Sequence, residues 1–199
     1  MKRMSEASQM ITKEAKEQLL SLMIDEMKEA QLKLGYAKEV IRLYIPMQSL
    51  CAILQIPPCD ANQLCTMLQS EFSAEPCVLG QIVFTACKGE RIEVRIPAEG
   101  ATYVHEQVEN PPFLSRLIEL FQQNHHLSIE EICACFAQFS PDYVCEKMPE
   151  GTGFDYALYF PNKKPDAWYY CIHSEMNHTI YHRFSEPDYL ALMGESTEH

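Results

Sequence analysis

The sequence predicts an α+β fold: a mostly antiparallel sheet packed by a long N-terminal helix and several shorter helices. Three observations predict it. One long run near the N-terminus places apolar residues at intervals of three and four. Short β-rich runs are bounded by Pro, Gly and Asn turn signals, and the longest set, Phe154 to Phe184, reads as a three-strand antiparallel meander. Capping and turn signals then agree along the whole chain, as they do when a sequence specifies one structure. About five to seven strands are expected in one sheet. Residues 1–199 are read as a single domain, with a candidate subdomain break near 109–113.

The first helix is predicted from about Lys13 to Leu34. Thr12 serves as N-cap, Glu14 lies in the first turn, and Lys33 in the last turn precedes Gly35 as a C′ residue. Ala15, Leu19, Leu22, Met23, Met27, Ala30 and Leu34 form its apolar stripe, so it should pack across a sheet. Val40 to Ile45 is β-rich and ends at Pro46, which opens the next helix, MQSLCAIL. Pro57 and Pro58 stop that helix. Asp60, with Gln63 three residues on, caps another whose inner face is Leu64, Cys65, Leu68 and Phe72. Cys77 to Ile96 reads as a hairpin of VLGQIVFTAC and RIEVRI around Lys88-Gly89, where the glycine supplies positive φ. In its second arm Ile92, Val94 and Ile96 point inward and Arg91, Glu93 and Arg95 outward, the mark of a strand with one wet face.

A short helical piece follows Pro97 through Tyr103, Val104 and Val108. Asn110-Pro111-Pro112 is the strongest break in the middle of the chain. Phe113 to Gln123 is amphipathic through Leu114, Leu117, Ile118 and Phe121, and His125-His126 ends it. Ser128 with Glu131 is a capping box for a helix that turns Ile132, Phe136 and Phe139 inward. Tyr143 to Met148 is an edge-strand candidate and Pro149-Glu150-Gly151 a turn. After the meander, Ser185 and Asp188 cap a short helix through Tyr189 and Leu192, and the tail GESTEH is expected to fray. IRLYIP, IEVRIP and IYHRFS each look like a strand running straight into a helix, which capped helices explain without an internal repeat.

Composition narrows the function classes. Apolar residues make up 47% of the chain, enough for a true core. The net charge of −12 repels phosphate backbones and anionic lipid, arguing against nucleic-acid and membrane partners. The amino-terminal MKRMSEASQMITKEAKEQ has no h-region, and no apolar run approaches the roughly 20 residues that cross a bilayer. The nine cysteines are therefore read as reduced thiols of a cytosolic (cytoplasmic) protein, mostly buried; the absence of Cys-x-x-Cys removes zinc-ribbon and thioredoxin-like sites. Gly-x-Ser-x-Gly, P-loop and Gly-x-Gly-x-x-Gly patterns are absent too.

The segments EAQLKLGYAKEVIRLYIPMQSL, RIEVRIPAEGATYVHEQVENPPFLSRLIELF, FDYALYF and HTIYHRFSEPDYLAL resemble a bacterial family catalogued as a domain of unknown function, number 3877. The resemblance spans nearly the whole chain. It implies a small cytosolic bacterial protein and brings no catalytic motif, substrate, cofactor or site residue with it.

Candidate chemistry gathers in the meander. If the second turn has even length, Tyr169, Cys171 and His173 share a face with Ile180, His182 and Phe184; Cys171, His173 and His182 then come within reach of one Zn²⁺. A three-residue turn splits them between faces, and a core histidine is the plainer account. A nucleophile reading pairs Cys171 with His182 or His173, oriented by Asp155 or Asp166, against an inert core thiol. A binding reading rests on alternating aromatics: Tyr156, Trp168, Tyr170 and Tyr181, with Arg183 and Lys164, form a platform for a protein or small molecule if one sheet face stays open. Helices over both faces make the same residues core. The leading expectation is a non-catalytic interaction or ligand-binding module; a metalloprotein or enzyme is the alternative.

Overall fold

The computed structural model describes residues 11–176 and 178–194. The amino-terminal ten residues, part of the stretch read above as lacking a signal peptide, and the tail after Gly194 lie outside the described residues. The described residues form seven helices and seven strands, an α+β protein with a long N-terminal helix. The sequence reading put the strands in one sheet; instead three and four of them form two separate antiparallel sheets. The chain divides into two compact units, one up to Val108 and one from Glu109, beside Asn110-Pro111-Pro112.

In the first unit α1 (Lys13–Leu34) is capped by Thr12, whose hydroxyl accepts from Ala15 N, and closed by Gly35 in the left-handed region with its N–H on Gln31 O. Ala15, Leu19, Met23 and Met27 are buried as the stripe predicts, whereas Leu34 is exposed. The last turns bury polar residues instead. Lys28 Nζ donates to Val104 O at 2.8 Å and Gln31 Nε2 to Ala101 O at 2.8 Å, clamping α1 onto α4 (Ala98–Gln107). Burial pushes the Lys28 ammonium below its ordinary value.

Between them, β1 (Ile41–Pro46) runs straight into α2 (Met47–Leu54), and α3 (Ala61–Ser73) starts at Asp60, which accepts from Asn62 N and Gln63 N. β2 (Val83–Cys87) is shorter than the predicted arm from Val78, because the chain turns through Gly80 at φ +75°. β3 (Arg91–Ile96) is the middle strand of the order β1-β3-β2. Ile41, Ile45, Phe84, Ile92, Val94 and Ile96 turn into a core shared with the helices. Gly100 is required there, since a Cβ on it would collide with the Leu79 carbonyl oxygen.

In the second unit α5 (Pro112–Gln123) and α6 (Ile129–Ala137) precede the sheet β4-β5-β6-β7. Its strands are β4 (Val144–Lys147), β5 (Tyr156–Tyr159), β6 (Tyr169–Glu175) and β7 (His178–Phe184); α7 (Glu186–Leu192) follows directly. The meander and its edge strand form as predicted. Ser128 and Glu131 close the reciprocal capping box at α6.

Candidate functional site

The C-terminal hairpin has the even-length turn: Glu175 stands opposite His178, Cys171 opposite His182, and His173 opposite Ile180. The register therefore sorts the candidate residues onto two faces. Cys171, His173 and His182 share one; Tyr156, Tyr170, Tyr181 and Arg183 occupy the other.

On the Cys/His face the His173 and His182 rings stack 5.4 Å apart at 18°. Phe154 meets both edge-on, at 5.6 and 5.5 Å, and closes on Phe184. Cys171 lies beneath, fully buried with Met148, Ala157 and Tyr189. Burial, with the Glu146 carboxylate as a smaller cause, pushes its thiol up to about 12. A buried thiol held protonated packs as a small apolar group and is a weak nucleophile. Parallel stacked rings also fail to aim their nitrogens at one point, and His182 is exposed while His173 Nδ1 is buried without a hydrogen bond. Tyr189 seals the other end. It stacks on Tyr169 at 4.2 Å and 15°, and its hydroxyl donates to Glu146 Oε1 at 2.7 Å. Burial and that acceptor push the Tyr189 phenol far above its ordinary value.

The aromatic face is a closed layer, which corrects the expected open platform. Tyr170 is fully buried, and Trp168 and Tyr181 are 8% and 7% exposed. Phe113 from α5 is the hub, with Phe136, Phe139, Phe160 and Tyr170 rings at 4.8 to 5.5 Å, and Phe121 covers Tyr181 at 4.8 Å. Tyr156 is half-buried. Arg183 lies over the Trp168 ring at 4.2 Å, while Asp166 accepts from Trp168 N and from the Tyr170 hydroxyl. The physical reason is compositional: both alternate positions of the run are apolar or aromatic, so both faces seek cover.

The open sheet face lies in the first unit. The register aligns Arg42, Arg95 and Val83 in one row, Tyr44, Glu93 and Thr85 in the next, and Pro46, Arg91 and Cys87 in a third. Arg42, Arg95, Arg91, Tyr44, Val83 and Thr85 are exposed. Arg42 pairs weakly with Glu93, at 3.6 Å. The outward charges of RIEVRI were legible in the sequence; their apposition to Arg42 and Tyr44 needed the strand order.

Fold and side-chain chemistry together define a two-unit α+β protein with one open, basic sheet face and a second sheet that buries Tyr170, Cys171 and Tyr181. Residues 16–193 match the family described as "Domain of unknown function, E. rectale Gene description (DUF3877)", and the chain belongs to that family. No curated protein matches the chain, and no solved structure matches it. No helix of the described residues is long and apolar enough to cross a membrane.

Proposed function

We propose that the protein is a non-catalytic interaction module that binds an acidic protein segment on the open face of its three-stranded sheet. One observation carries this reading: Arg42 and Arg95 stand directly opposite each other on neighbouring strands, with Arg91 two rows away beyond Glu93, in a chain of net charge −12. Like charges opposed across a ladder cost stability, about 0.2–1 kcal/mol. Glu93 answers only one of the three guanidiniums. A carboxylate-bearing partner relieves the repulsion, since guanidinium forks bind carboxylates bidentately. Tyr44 and Val83, 50% and 43% exposed, supply the apolar contact beside the charges. The aromatic sheet of the second unit, expected as the platform, is too closed for that role. The Cys171, His173 and His182 group stands as the alternative; the raised thiol and the stacked rings weigh against it.

Fluorescence anisotropy with a labelled oligo-glutamate peptide tests the reading. The wild-type chain should bind it at low salt and release it as salt rises. Arg42→Glu with Arg95→Glu should abolish binding. Equal behaviour of wild type and the double variant toward the peptide refutes the proposal.

A further inference from the structure

The open face of the first sheet carries its charges in an order. Along β3 the outward side chains are Arg91, Glu93 and Arg95, every second residue of the strand. Alternate positions on a strand are about 6.7 Å apart, so the two arginines stand about 13 Å from each other with Glu93 midway. The flanking strands keep that order. β2 sets Val83, Thr85 and Cys87 opposite Arg95, Glu93 and Arg91, and so brings no carboxylate and no basic group. β1 sets Arg42, Tyr44 and Pro46 opposite the same three residues, which doubles the positive charge of the Arg95 row. Arg42, Arg91 and Arg95 are exposed, and Glu93 is half-buried with its carboxylate 3.6 Å from Arg42. Along β3 the face therefore reads positive, negative, positive.

We infer that the partner segment lies extended along β3 and carries two carboxylates four residues apart with a basic residue midway, a reading that rests on the acidic-segment site proposed above and adds its register. The strand repeat carries it. Side chains that face one way on an extended segment recur at the same spacing as those of β3. A carboxylate over Arg95 therefore puts the next side chain of that face over Glu93 and the one after over Arg91. An acid over Glu93 meets a like charge, whereas a lysine there completes a third opposite-charge pair. A helix repeats its facing side chains at about 6 Å on every fourth residue, but its width of about 10 Å would cover the three strands and take Arg42 and Arg95 out of water. An extended segment leaves those guanidiniums partly hydrated, with Tyr44 and Val83 beside it. The Arg95 row holds two guanidiniums and the Arg91 row one, so the carboxylate over Arg95 contributes the larger share.

The test is competition by unlabelled peptides against labelled oligo-glutamate on the full chain at low salt. Four peptides with Ser and Thr at the remaining positions are compared: Glu-x-Lys-x-Glu, its isomer Lys-x-Glu-x-Glu, the more acidic Glu-x-Glu-x-Glu, and the helix-spaced Glu-x-x-x-Lys-x-x-x-Glu. The first should compete better than its isomer by about two- to fivefold, the effect of one opposite-charge pair. The isomers have equal charge, so the net charge of the chain acts alike on both. The first should also lead Glu-x-Glu-x-Glu. Glu93→Lys should reverse that order, and the milder Glu93→Gln should narrow the gap. Equal competition by the isomers overturns the inference, as does a lead for Glu-x-Glu-x-Glu in the wild type or an order that Glu93→Lys and Glu93→Gln both leave unchanged. A lead for the helix-spaced peptide overturns it as well. These outcomes leave the acidic-segment site standing. If oligo-glutamate does not bind the wild type, or binds Arg42→Glu with Arg95→Glu equally well, that site fails and its register with it.

Discussion

The two sheets of this protein read alike as strands and behave differently as surfaces. In β3 every second residue is charged, and the sheet it centres has a core face and a wet face. In β6 Tyr169, Tyr170, Cys171 and Ile172 leave no polar alternate, and helices, Phe154 and Tyr189 cover both sides of that part of the strand. Cover is incomplete on β7, where His182 is exposed and Ile180 is 38% exposed. Aromatic richness is thus a poor guide to a binding face; charge on alternate positions is the better one, because a charged face cannot be buried cheaply.

Substitutions should separate the sheets by size of effect. Phe113→Ala removes the hub of the aromatic layer and should cost about 3–5 kcal/mol in urea denaturation. A smaller loss would mean that the layer is loosely packed. Tyr189→Phe removes the donor to Glu146 and leaves that carboxylate short of a partner, costing about 1.5–3 kcal/mol by the same measurement.

A pH test probes the same layer. The Cys171 thiol is raised in the folded state, so its contribution to stability is complete below the ordinary 9.0 and is lost as pH rises toward about 12. Cys171→Ala should flatten that part of the alkaline decline in Tm, and the wild-type thiol should resist iodoacetamide until the chain unfolds. Rapid native labelling of Cys171 would show that the layer opens.

The smallest effect has the opposite sign. Arg95→Glu replaces a like-charge pair with an opposite-charge pair facing Arg42 and should stabilise the chain by about 0.2–1 kcal/mol while weakening acidic-peptide binding. A destabilised variant would contradict the claim that repulsion is stored on the wet face.

Much of the local structure was legible. Thr12, Asp60, Ser128 and Ser185 act within three residues of themselves, and all four cap the helices that the sequence assigns to them. Gly35 and Gly89 take the positive φ that their turns need. The polar end of α1 was not legible. Lys28 and Gln31 look like solvated helix residues until Val104 and Ala101, seventy and more positions away, offer their carbonyls. The candidate site shows the same limit. Alternation gave the two faces of the hairpin, but the turn register decided that Cys171 meets His182.

By itself, then, the sequence determined the fold class, the elements, their caps and the composition of each strand face, because those follow from contacts over two to four residues and from side-chain solubility. Tertiary structure alone decided the rest. It split the strands into two sheets, set Arg42 against Arg95, closed the aromatic layer under Phe113, and brought His125 and His126 to His178. These outcomes depend on which distant segments lower the free energy together by burying apolar area and completing backbone hydrogen bonds. No local pattern encodes that choice.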